Sequence, residues 1–127
     1  MEVDCLVGPD SGFIADGMTP QEACLAIVQR SGQAAIDLDA DTLRKLDLTF
    51  RMWPPALWEK ARQMKASGQF PAKFAVKSGA YQSGDVWYVP IEFRAGNGKS
   101  EIQTPMIKFY QFEGKTFCFI IGTMERA

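Results

Sequence analysis

From residue 73 onward apolar side chains recur at every second position, and three turn signals divide the run: Ser83-Gly84, Asn97-Gly98 and Glu113-Gly114. A period of two belongs to strands with one buried face. Asn-Gly and its relatives supply the positive φ angles that two-residue reversals need. This half of the chain therefore reads as an antiparallel meander of four strands. Taking each turn as a two-residue reversal sets the registers. Around Asn97-Gly98, Arg94 meets Glu101, Phe93 meets Ile102, Ile91 meets Thr104 and Val89 meets Met106. Around Ser83-Gly84, Ala80 meets Trp87, Val76 meets Ile91 and Phe74 meets Phe93. Around Glu113-Gly114, Tyr110 meets Phe117, Lys108 meets Phe119 and Met106 meets Ile121. The three turns agree on one inner face: Phe74, Val76, Trp87, Val89, Ile91, Phe93, Ile102, Met106, Tyr110, Phe117, Phe119 and Ile121. A slip of one residue would turn this face outward.

The first half changes to helical spacing. Thr19-Pro20-Gln21-Glu22 combines a capping box with proline at the first helical position. Ala23, Cys24, Ile27 and Val28 then share a face, and Ser31-Gly32 is the expected end of the helix. A second helix starts near Asp39 or Asp41, with Leu43 and Leu46 inward. Trp53-Pro54-Pro55 breaks the chain and opens a third helix over about 55–66, closed by Ser67-Gly68. Residues 1–18, rich in turn formers, read as a loosely ordered leader, and 19–127 as a single domain. The expected class is α+β: three helices packed on a curved four-stranded antiparallel sheet, a cone-like arrangement.

Composition excludes more than it selects. The 127 residues carry a net charge of -1 and no histidine. That absence removes imidazole bases, Ser-His and Cys-His nucleophile pairs and nearly all zinc sites. Cys5, Cys24 and Cys118 lack Cys-x-x-Cys spacing. Cys24 and Cys118 read as buried apolar residues, with one disulfide as the alternative in an oxidising compartment. No metal, cofactor or catalytic residue is expected. The basic residues form no run, so nucleic acid is not an expected partner. No apolar stretch is long enough for a transmembrane helix. Met1-Glu2-Val3-Asp4 is no signal peptide, which suits a cytoplasmic protein, or an envelope protein whose leader has been removed.

Three stretches carry a resemblance: Thr19-Pro20-Gln21-Glu22 opening a helix, Gly84-Asp85-Val86-Trp87-Tyr88-Val89 opening a strand, and Gly98-Lys99 with Glu113-Gly114-Lys115 before the last strands. Over about residues 19–123 the chain resembles the nuclear transport factor 2-like superfamily, and within it the small bacterial lumazine-binding-like domains. The resemblance implies a curved sheet wrapped around helices, with a pocket inside the cone. Members that are enzymes tend to use histidine and aspartate there, so with no histidine present no catalytic residue is carried over.

Two sets of residues are candidates for function. On the inner face Lys108, beside Trp87 and Tyr110, would be partly desolvated and could hold a small apolar or anionic ligand, with Thr104 and Ser78 as polar contacts. On the outer face Tyr88, Ile107, Phe109 and Ile120, with Cys118, would make an apolar patch suited to a protein partner or a second copy of the chain. The leading expectation is a non-catalytic binding domain that engages a partner through its sheet, as a homodimer or in a toxin-neutralising role. The alternative is a small-molecule binder or a histidine-free isomerase or cyclase using the cone. The acidic residues Asp37, Asp39, Asp41 and Asp47 lack the ligand series of a calcium loop, and capping accounts for Asp39 and Asp41.

Overall fold

A computed structural model describes residues 12–126. The order is β1 (Phe13–Ile14), α1 (Pro20–Asp37), α2 (Ala40–Leu46), a 3-10 helix (Leu48–Met52), α3 (Pro55–Ala66), β2 (Pro71–Val76), β3 (Tyr81–Ser83), β4 (Val86–Tyr88), β5 (Ile91–Ala95), β6 (Ser100–Phe112) and β7 (Lys115–Arg126). Three α-helices and a strongly curled antiparallel sheet, a half-barrel, make an α+β fold. No described helix is long and apolar enough to cross a membrane.

The sheet has seven strands where four were expected. The long β6 pairs with β7 on one edge and with both β4 and β5 on the other; β3 pairs with β4 and β2 with β5. The meander survives, but its first hairpin is cut in two. Pro90 stands at the cut, and its ring nitrogen cannot donate to a ladder. There Lys77 N donates to Pro90 O (2.9 Å) and Val89 N reaches Pro105 O (3.3 Å). The seventh strand, β1, comes from the expected leader. Phe13 pairs with Cys118 and Ile14 with Phe117, and Asp16 Oδ1 accepts from Thr116 N at 2.8 Å. Residues 1–11 of that leader, with Cys5, lie outside the described residues.

Helix α1 begins as its residues require. Glu22 N donates to Thr19 Oγ1, and Glu22 Oε1 accepts from Thr19 N at 2.9 Å. It does not stop at Ser31-Gly32 but continues to Asp37, ending at Leu38 with φ +53°. The reason lies outside the helix. A Cβ on Gly32 would sit 3.0–3.1 Å from the Phe74 ring, so this glycine admits close helix–sheet packing rather than marking an end. Helix α2 is capped by Asp39, whose Oδ1 accepts from Thr42 N at 3.3 Å. Helix α3 starts behind Pro54-Pro55 and buries only Trp58 and Ala61.

The register departs from expectation at three places. The first turn is Gly84-Asp85 rather than Ser83-Gly84, so Gln82 and not Ala80 meets Trp87. Glu113-Gly114 forms the anticipated reversal, with φ +50° and +76°, and Tyr110 meets Phe117 and Lys108 meets Phe119. Phe74 meets Phe93 and Val76 meets Ile91, also as expected. The Asn97-Gly98 turn, however, takes one residue more. Gly98 N donates to Ala95 O (3.0 Å) and Ala95 N to Lys99 O (2.8 Å), leaving Gly96-Asn97-Gly98 as a three-residue loop with Gly98 at φ +88°. Phe93 therefore meets Glu101, and Ile91 meets Gln103. A bulge then separates the pairs Met106–Gly122 and Ile107–Ile120.

The extra loop residue reverses β6 relative to β5. Trp87, Val89, Ile91 and Phe93 stay inside, but they are joined by Glu101, Gln103, Pro105, Ile107 and Phe109 rather than by Ile102, Met106 and Tyr110. Beyond the last turn Cys118 and Ile120 are inside, and on the opposite face of the sheet Phe117 and Phe119 are buried in a second cluster with Leu48, Tyr110, Phe112 and Ile121. The main core is Ala23, Cys24, Ile27 and Val28 of α1 packed on Val89, Ile91, Ile107, Cys118 and Ile120. Ile107 and Cys118 have no exposed surface. The apolar outer patch expected from Ile107, Ile120 and Cys118 is thus the centre of the molecule, and it cannot meet a partner.

Candidate functional site

The five residues expected to line one pocket do not come together. Lys108 and Tyr110 lie on the opposite face of the sheet from Trp87. Lys108 Nζ pairs with Asp85 Oδ2 of the β3–β4 turn at 3.2 Å, and Tyr110 packs edge-on against Phe119. Trp87 packs against Phe109 beside the main core. Thr104 is buried, with no partner for its hydroxyl, and Ser78 is exposed in the gap between β2 and β3. Of the other interface residues, Tyr88 stacks on Tyr81 at 5.2 Å, and Phe109 is half-buried against the core. The fault is the single loop residue described above, because in a strand every side chain changes face when the register moves by one.

A cavity of about 350 Å³ opens elsewhere, between the helices and the inner face of the sheet. Its roof is the second half of α1, where the inner stripe carries Ser31, Gly32 and Ala35. Its floor is Ile91, Phe93, Gln103, Pro105, Ile120 and Thr123. Phe50 and Trp53 of the link between α2 and α3 stand at one side, and Phe70 and Pro71 at another. The size is that of a small-molecule site.

Among the described residues the cavity wall holds two ionisable groups, Asp47 and Glu101, and no lysine or arginine. Asp47 follows α2, and its backbone bridges to Ile120 of β7. Only 5% of it is exposed. Its Oδ1 accepts from Thr49 N at 2.9 Å and from Thr49 Oγ1 at 2.6 Å. Among the described residues its Oδ2 has no hydrogen-bond partner and no cation is paired with it. Burial raises its pKa above the ordinary carboxylate value, and the Thr49 contacts oppose that shift. Glu101 is exposed at the start of β6 and accepts from Gln103 Nε2 at 2.6 Å.

Packing behind the cavity holds its aromatic side. Phe50, Trp53 and Trp58 form a cluster with ring centres 4.6 Å (Phe50–Trp53) and 4.9 Å (Trp53–Trp58) apart. The Arg44 guanidinium lies 5.0 Å over Trp58. Arg44 and Arg62 line a separate hollow on the other side of Trp53.

Cys24 and Cys118 are structural. Both are buried free thiols. Burial pushes each up to about 12, with their mutual proximity adding to the rise at Cys118. Thiols held so far from ionisation are poor nucleophiles.

Trp53, placed by the Trp53-Pro54-Pro55 break just ahead of α3, lines this cavity. Asp47 was read only as part of an acidic cluster. The signal that separates it was present: it stands between Leu46 and Leu48 on an apolar run, where a carboxylate has to be buried. Comparison with protein-family models, characterised proteins and solved structures finds no match.

Proposed function

We propose that the chain is a small-molecule-binding protein whose ligand occupies the cavity between α1 and the curled sheet. The observation that carries this reading is the Asp47 carboxylate: buried at the cavity wall and, among the described residues, hydrogen-bonded on one oxygen only and unaccompanied by a cation. Among the described residues the fully enclosed side-chain atoms without a partner are Trp58 Nε1 and Thr104 Oγ1. Asp47 Oδ2 is not one of them, so water can reach it, and a ligand donating to Oδ2 takes the place of that water. Helices enclosed by a half-barrel also support the cone-like resemblance, in which a pocket occupies this place.

The reading is tested by melting the protein against a library of small aromatic and aliphatic compounds, followed by calorimetry on any that raise the midpoint. Ala35→Leu, which narrows the cavity, should weaken every positive result. A hit whose affinity this substitution leaves unchanged counts against the proposal.

The raised pKa of Asp47 favours a second reading, proton transfer. The carboxylate would take a proton from carbon next to a carbonyl, leaving the electron pair on the carbonyl oxygen as an enolate. Deuterium exchange into an aryl ketone in heavy water, followed by NMR, measures this directly. A rate unchanged by Asp47→Asn would dispose of the idea.

A further inference from the structure

Resting on the small-molecule reading above, we infer that the ligand is an organic cation, a protonated amine on a small aromatic or aliphatic body, held by Asp47 with Glu101 at the same cavity.

The balance of charge in the wall leads there. Asp47 and Glu101 contribute negative charge, and no basic side chain of the described residues lines the cavity with them. Buried carboxylates in folded proteins are ordinarily paired. Asp47 has no partner cation among the described residues: their salt bridges run elsewhere, and its Oδ2 accepts no hydrogen bond from them. An ammonium group supplies both the charge and the missing donor in one atom. An anion would have to share the cavity with two carboxylates and lose its hydration without return, so this cavity disfavours one.

The remaining wall suits the rest of such a molecule. Phe50 and Trp53 present aromatic surface, to which cations and flat apolar bodies are both attracted. Thr49 fixes Asp47 Oδ1 through two hydrogen bonds, so the carboxylate is already oriented and little freedom is lost on binding. The small side chains of Ser31 and Ala35 leave the volume for the body itself, the space at Gly32 being taken by the Phe74 ring.

Three probes of one shape test the inference by calorimetry: 2-phenylethylammonium, 2-phenylethanol and phenylacetate. A charge-assisted hydrogen bond exceeds a neutral one by an amount worth about tenfold in affinity. The expected order is the ammonium ahead of the alcohol by about tenfold, with no binding of phenylacetate. In Asp47→Asn the ammonium should fall to the level of the alcohol while the alcohol is held as before, which also shows that the variant is folded. Glu101→Gln, at an exposed position with no structural load, should weaken the ammonium by about two- to threefold. If the alcohol or phenylacetate binds as well as the ammonium, the cation inference fails and the cavity reading stands. If none of the three binds the wild-type protein, the cavity reading fails with it.

Discussion

One helix crosses one sheet, yet the two halves of that contact are built differently. In its first half α1 presents Cys24, Ile27 and Val28, all without exposed surface, to Val89, Ile107, Cys118 and Ile120. In its second half the same stripe continues at the same spacing as Ser31, Gly32 and Ala35, and the sheet opposite offers Gln103 and Pro105. The side chains shrink along the helix while the sheet curls on. The first half is therefore packed solid, and the second encloses a cavity. A void of this kind is not a failure of packing. It is encoded as a run of small residues on the buried face of a helix, beside a carboxylate that no core would choose to bury.

The sharpest way to break this contrast is Ile27→Ala. In a filled region the change should cost about 2–5 kcal/mol, read from chemical denaturation. A loss below about 1 kcal/mol would mean that the first half is as loosely packed as the second. Enlarging residues separates the halves in the opposite sense. Ala23 is fully buried in the solid half, and Ala23→Leu should destabilise by about 1–3 kcal/mol through overpacking. Ala35→Leu should be neutral or stabilising by about 1 kcal/mol, because its added methyl groups enter empty space. Equal costs at the two positions would show that the cavity is closed to side chains.

The smallest expected effect concerns Asp47. Its folded-state pKa is raised above the ordinary 3.8 by burial. The folded state therefore holds this proton more tightly than the unfolded chain does. The stabilisation from protonation is full below pH 3.8 and is lost as pH rises through the raised folded value. Asp47→Asn cannot ionise. Its melting midpoint at neutral pH should exceed that of the wild type by on the order of a few °C, and the gap should close as pH falls toward 3.8. A gap that widens on acidification would mean that the Thr49 contacts outweigh burial.

Much of the architecture could be read from short stretches. Thr19-Pro20-Gln21-Glu22 starts α1, Pro54-Pro55 starts α3, and Glu113-Gly114 reverses β6 into β7 with the anticipated partners. In each case the determining groups lie within a few residues of one another. Gly32 and the Gly96-Asn97-Gly98 loop could not be read in this way. Gly32 looks like a helix end until Phe74 is seen against it. The loop holds an additional residue and docks on the turn after α3, where Asn97 N donates to Gly68 O at 3.2 Å.

What the amino-acid order determined by itself was local and periodic: which segments are helical, which extended, and where the chain turns, because capping, proline geometry and positive φ act over three or four residues. Tertiary structure decided which face of β6 and β7 is buried. One loop residue, held by a neighbour far along the chain, sent Ile107, Cys118 and Ile120 inward and Lys108 and Tyr110 outward. It also decided where the cavity lies, since Asp47, Ser31 and Gln103 share a wall only once the sheet has curled around α1.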